Sequence, residues 1–123
     1  MKKTIQQELQ ELELHLTLYP EMTTELALAH FEDYLVLISE YERLKDFMTN
    51  KASVKPEFVD ASLTIEQKFR VERLKRYLLQ HPEESVTYAY IYFHNFLILT
   101  KQYQQLEHKA NLLQAKPSLP YFL

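Results

Sequence analysis

The sequence predicts an all-α protein: two repeated helical hairpins, each a short helix followed by a long one, forming a four-helix bundle-like domain. Three observations carry that expectation. The chain of 123 residues has no glycine. Glycine supplies phosphate-cradling loops, hairpin turns and oxyanion nests, so its absence argues against P-loop, dinucleotide-binding and most β-rich folds together. The chain also aligns on itself after a shift of 62 residues, the mark of one supersecondary unit used twice. Finally, Leu28, Phe31, Leu35 and Ile38 recur at i, i+3, i+7 and i+10, the stripe of an amphipathic helix.

The repeat sets "PEMTTELALAHFEDYLVLISEYERL" (20–44) on "PEESVTYAYIYFHNFLILTKQYQQL" (82–106). Pro20/Pro82, Glu21/Glu83, Ala27/Ala89, Phe31/Phe93, Leu35/Leu97, Leu37/Leu99, Tyr41/Tyr103 and Leu44/Leu106 are identical. Upstream, Leu12/Leu74 and Leu16/Leu78 keep the register. The whole chain, 1–123, then reads as one helical domain. Repeat 1 spans about 3–49, a linker 50–61, repeat 2 about 62–114 and a tail 115–123.

Each element has a local reason. The first helix runs from about Lys3 to Leu18, opened by a Thr4-x-x-Gln7 capping box. Tyr19-Pro20 breaks it and starts the second helix, with proline at the first helical position and Glu21 near the positive end of the dipole. That helix reaches about Thr49. The segment "NKASVKPEFVDAS" is the linker. The third helix begins near Ser62 or Thr64, where Thr64-x-x-Gln67 is a second capping box, and ends at Gln80. His81-Pro82-Glu83-Glu84 repeats the break, and the fourth helix runs to about Gln114. Pro117 and Pro120 keep the tail non-helical.

One stretch resists its neighbours. "SVTYAYIYFHNFLIL" (85–99) alternates Tyr88, Tyr90 and Tyr92 like one face of a strand, beside the strand formers Val86, Thr87 and Ile91. Its alignment on 23–37 makes it the second copy of a helix, its β-propensity overridden by context. Tyr88, Tyr90 and Tyr92 replace Leu26, Leu28 and His30; with His94 they are expected at an interface with another chain or around a pocket.

Length raises a packing question. At about 1.5 Å per residue the short helices span roughly 24 Å and the long ones roughly 43–48 Å. Each short helix is expected to fold back over the first half of its long neighbour. The second halves carry Tyr41, Leu44, Phe47 and Met48 on one helix and Tyr103, Leu106, Leu112 and Leu113 on the other. They need a cover, either each other or a second chain, because apolar stripes of that length are uncommon on a free monomer. A homodimer or higher oligomer is the expectation.

Composition bounds the chemistry. With 46% hydrophobic residues and a net charge of −3 the chain reads as soluble. It has no cysteine, hence no disulfide framework. No apolar run has the length a membrane helix needs. Met1-Lys2-Lys3 leads into the polar "TIQQELQELE" rather than an apolar leader. A cytoplasmic protein without membrane contact is expected. Metal is not expected either. The residues three before His15, His30, His81, His94 and His108 are Leu, Ala, Leu, Ile and Gln, and no His-x-x-x-His occurs. No nucleophile–base–orienter pattern suggests catalysis and no cofactor is implied.

The sharper candidate is "KFRVERLKR" (68–76), five basic residues in nine. Val71, Leu74 and Leu78 share one helical face, with Lys68, Arg73 and Arg76 opposite: a solvated face or a docking patch. Residues 1–50 carry 4 basic against 10 acidic side chains, residues 51–123 carry 10 against 7. The halves therefore attract one another, within or between chains. An acidic protein overall makes direct nucleic-acid binding the weaker reading.

The Gln/Glu-rich first helix, "YERLKDF" before a linker with "KPEF", and "LKRYLLQHPEESVTYAYIYFHNFLILTKQYQQL" resemble the YlbF/YmcA group of small helical regulators of Gram-positive bacteria. The likeness covers about 5–110 in outline, with Pro56-Glu57-Phe58 in the linker and Tyr88-Ala89 after the His81-Pro82 break. It implies a non-enzymatic oligomeric adaptor in complexes that influence competence, biofilm formation and RNA processing. The functional expectation is accordingly protein–protein contact, through Lys68, Arg73 and Arg76 and through Tyr41, Phe47, Tyr103 and Leu106. The alternative is a small-molecule carrier or sensor with a tyrosine-lined pocket beside His94.

Overall fold

The computed structural model describes residues 3–50 and 63–115. The linker with Pro56-Glu57-Phe58, the tail with Pro117 and Pro120, and the Leu113 side chain lie outside the described residues. Four α-helices follow in order: α1 (Ile5–Leu18), α2 (Thr23–Asn50), α3 (Ile65–Gln80) and α4 (Ser85–Ala115). No strand occurs among the described residues. The stretch 85–99 is helical throughout, so the repeat decides its state and the β-propensity does not.

Both short helices open on the expected capping boxes. Thr4 Oγ1 accepts from the Gln7 N–H at 3.1 Å while Gln7 Oε1 accepts from the Thr4 N–H at 2.8 Å. Thr64 and Gln67 do the same at 3.1 and 3.0 Å. Both end on the same turn. Tyr19 sits at φ −132°, ψ 65° and His81 at φ −131°, ψ 64°, out of the helical region because the following proline excludes it. The long helices start later than the sequence suggests. A single 3₁₀ turn intervenes in each hairpin, Pro20–Met22 and Pro82–Glu84. The Met22 N–H donates to the Tyr19 carbonyl and the Glu84 N–H to that of His81. Among the described residues both hairpin turns are built as 3₁₀ turns, which need no glycine.

The long helices α2 and α4 make the most extensive contact in the molecule, and they run parallel. At one end the Thr24 and Ser85 hydroxyls are 2.8 Å apart. Further along, His30 stacks on Phe93 with centroids 4.5 Å apart, and Phe31 meets Tyr92 at 4.4 Å. Beyond that, Leu44 and Phe47 pack with Tyr103 and Ala110. The offset stays close to the repeat length, so an approximate two-fold axis along the pair carries one hairpin onto the other.

The short helices correct one expectation. The closest approach of α1 is to α4, and that of α3 is to α2: each short helix leans on the long helix of the other repeat. Ala27 of α2 and Ala89 of α4 are both fully buried in the core the short helices reach. A side chain of one carbon lets a neighbouring backbone come close. Leu12 and Leu16 of α1 and Leu78 of α3 fill the space around them, with Leu74, Tyr88, Tyr90 and Phe93 packed alongside. Gln67 ties the arrangement by donating from Nε2 to the Leu35 carbonyl at 3.1 Å and to Ser39 Oγ at 2.8 Å.

Below the reach of the short helices, a second core joins α2 and α4 alone. Leu37, Leu44, Phe47, Tyr103 and Ala110 are buried there, with Tyr41, Met48, Phe96, Leu99 and Leu106 against them. Of the two covers the sequence allowed for these half-helices, the structure uses the first. Leu112 is the exception and stays exposed. Glu40 is buried beside this core, its carboxylate 3.0 Å from Arg43 Nη1.

Candidate docking surface on helix α3

Helix α3 turns Gln67, Val71, Leu74 and Leu78 toward α2 and the upper core. At 100° per residue the opposite side carries Ile65, Phe69, Glu72, Arg73, Arg76 and Leu79. All six are exposed, and for the apolar members the extent is decisive: Ile65 is 73% exposed, Phe69 64% and Leu79 67%. Positions 65, 69, 72, 76 and 79 alternate steps of four and three, the spacing of a seam that another helix fills. Glu72 and Arg76 lie within it, Arg73 at one edge and Lys68 and Lys75 along the other, all exposed. Arg70 does not belong to it. Its guanidinium lies 5.7 Å from the centroid of the Phe31 ring, a cation–π contact inside the molecule.

The structure therefore leaves Lys68, Arg73 and Arg76 on the exposed side of α3, Lys68 and Arg73 at its two edges, together with Ile65, Phe69 and Leu79. The sequence signal for these three was their place opposite Val71, Leu74 and Leu78, in a 4–3 series completed by Glu72 and Arg76. The other expected partner residues are elsewhere. Phe47 and Tyr103 are only 7% and 9% exposed, inside the lower core, with Tyr41 and Leu106 packed against it. Phe47 and Tyr103 are corrected from a partner surface to internal positions, because each long helix covers its twin, while Tyr41 and Leu106 are half-buried.

The tyrosines face inward too. Tyr92 meets Phe31, Tyr34 and Tyr88 at 4.4, 6.3 and 5.9 Å, and Tyr77 meets Tyr88 edge-on at 6.0 Å. Their ring faces are thus engaged by other rings of the same chain. Burial, then the nearby Tyr88, pushes the Tyr92 hydroxyl up, and burial followed by Glu13 of α1 does so for Tyr90. His94 follows one helical turn after Tyr90. It is exposed on the outer side of α4, in line with Ile91 and Ile98.

His30 is the polar exception in this cluster. Its Nε2 is buried and finds no hydrogen-bond partner among the described residues. Burial holds its pKa below the usual histidine value, against the pull of Asp33.

A second donor cluster, missed in the sequence, forms at the α3–α4 turn. His81, Glu83 and Glu84 place one ligand atom each within 4.8 Å of one another. Those donors are already used: Glu83 lies 3.6 Å from His81 Nδ1, and Glu84 accepts from the Tyr77 hydroxyl. That hydrogen bond, helped by burial, pushes the Tyr77 pKa up to about 12. The cluster closes the turn.

No family model, curated protein or solved structure matches the chain.

Proposed function

We propose that this protein is a non-enzymatic helical adaptor whose α3 face docks a partner protein. The observation that supports it is the exposed seam of Ile65, Phe69, Glu72, Arg76 and Leu79, with Arg73 at its edge. An apolar stripe interleaved with arginines fits an amphipathic partner helix with acidic flanks. The apolar residues supply contact area; the arginines supply orientation and encounter rate. The resemblance to the YlbF/YmcA group would put such an adaptor in a complex affecting competence, biofilm formation or RNA processing. The carrier reading has less support, since the tyrosines it needs are stacked on their own neighbours.

The test compares R73E/R76E with the wild type as bait in extracts of the native host. Binding of any retained protein is then remeasured with purified components. Circular dichroism should be unchanged, because both arginines are exposed. Capture should weaken about tenfold or more, equivalent to at least about 1.4 kcal/mol. Equal capture by both baits would remove α3 from the function.

A further inference from the structure

The outer face of the lower half of α4 is exposed. Lys101, Gln104, Gln105, His108 and Lys109 line a concavity of about 560 Å³ there. Through Lys101 and Gln104 it continues into a second of about 300 Å³, lined also by Ile5 at the start of α1 and by Leu97 and Thr100. Toward the other end Leu112 lies in the same line, in steps of four, three and four from Lys101, and is 57% exposed. The walls are largely the stems of lysine and glutamine. None of the five residues around the larger concavity is acidic.

The internal repeat points to the occupant. Each long helix is followed by the same short pattern, Lys55-Pro56-Glu57-Phe58 after α2 and Lys116-Pro117-Ser118-Leu119 after α4. In the first half the chain leaves α2 at Asn50 and re-enters at α3, whose Gln67 bonds Leu35 and Ser39 of α2. Residues 51–62 thus carry it back about 16 Å along the long helix. The matching path in the second half leads from Ala115 toward the start of α1, which leans on α4. Both concavities lie along that path.

Length and chemistry agree with it. From Ala115 back to Lys101 is about 21 Å of helix, and residues 116–123 span at most about 26 Å when extended. With the reversal at Lys116-Pro117, Leu119 comes level with Leu112, and Tyr121 and Phe122 level with Gln104–His108. No residue from 117 to 123 carries a charged side chain, so nothing there opposes the lysines. Two aromatic rings over lysine stems combine apolar contact with cation–π attraction.

We propose that residues 117–123 fold back along the outer face of α4 in the same chain, seating Tyr121 and Phe122 in the concavity between Lys101 and Lys109. The contact does not involve α3. It covers Leu112, holds the start of α1 against α4 and closes this face to other proteins, leaving α3 as the open one.

The chain has no cysteine, so an engineered disulfide in the full chain reports the contact without interference. Q104C/L123C leaves both aromatic residues in place. E42C/L123C puts the first thiol at the matching, exposed position of α2. Circular dichroism verifies that each variant is folded. In a glutathione redox buffer Q104C/L123C should form its intramolecular disulfide about tenfold faster than E42C/L123C, because docking raises the effective concentration of the thiols. Adding Y121S/F122S should slow it about fivefold or more. Equal rates at Gln104 and Glu42 overturn the proposal, and so does a rate indifferent to Y121S/F122S. A disulfide that joins two chains in dilute protein also overturns it, by placing the segment on a second copy.

Discussion

At the scale of single residues, three side chains decide more than their size suggests. Ala27 and Ala89 are identical in the two repeats and fully buried in the core that also holds Leu12, Leu16 and Leu78 of the short helices. Ala27→Leu or Ala89→Leu should overpack that core and cost about 1–3 kcal/mol, read as a lower urea midpoint at unchanged slope. His30 is the third. Its folded pKa lies below the ordinary 6.5 because burial disfavours the charged ring. Below that ordinary value the unfolded chain takes up the proton first, so stability falls as pH drops through about 6.5 toward the lower folded value and is full above it. His30→Phe keeps the stack on Phe93 and removes the titration. Its melting temperature should lose the downward slope on the acid side, and a variant profile parallel to the wild type would exclude His30 as the cause.

At the scale of elements, the caps test how far the two repeats have diverged. Thr4 and Gln7 form a local box on α1, whereas Gln67 also bonds Leu35 and Ser39 of α2. Gln7→Ala should therefore cost about 0.5 kcal/mol, and Gln67→Ala about 1–2 kcal/mol, in equilibrium denaturation. Equal losses would mean that the tie to α2 carries no stability. Helix α4 shows what was and was not legible. Its helical state followed from alignment with α2, although Tyr88, Tyr90, Tyr92 and Ile91 favour a strand locally. What its aromatics touch was not legible, because a helix that is apolar nearly all round gives no single buried face. The outward seam of α3 was half legible. Lys68, Arg73 and Arg76 stood out by charge, while the outward position of Ile65, Phe69 and Leu79 shows only in their exposure.

At the scale of the whole molecule, the repeat behaves as a dimer joined into one chain. Neither hairpin buries its short helix alone, since α1 needs α4 and α3 needs α2. Residues 1–62 and 63–123 expressed separately should each lack much of the helix of the intact chain. Their 1:1 mixture should regain ellipticity at 222 nm beyond the sum of the parts. Purely additive spectra would contradict the interdependence of the halves.

The sequence by itself determined the helices, their caps, their two proline turns and the twofold repetition, because these rest on local propensity and spacing. Only the tertiary structure decided that the long helices run parallel, that each short helix crosses to the other repeat, and that Phe47 and Tyr103 are internal. Those outcomes depend on which apolar stripe finds which. Two copies of one pattern offer the same stripe twice, so the local pattern does not say which copy a short helix joins.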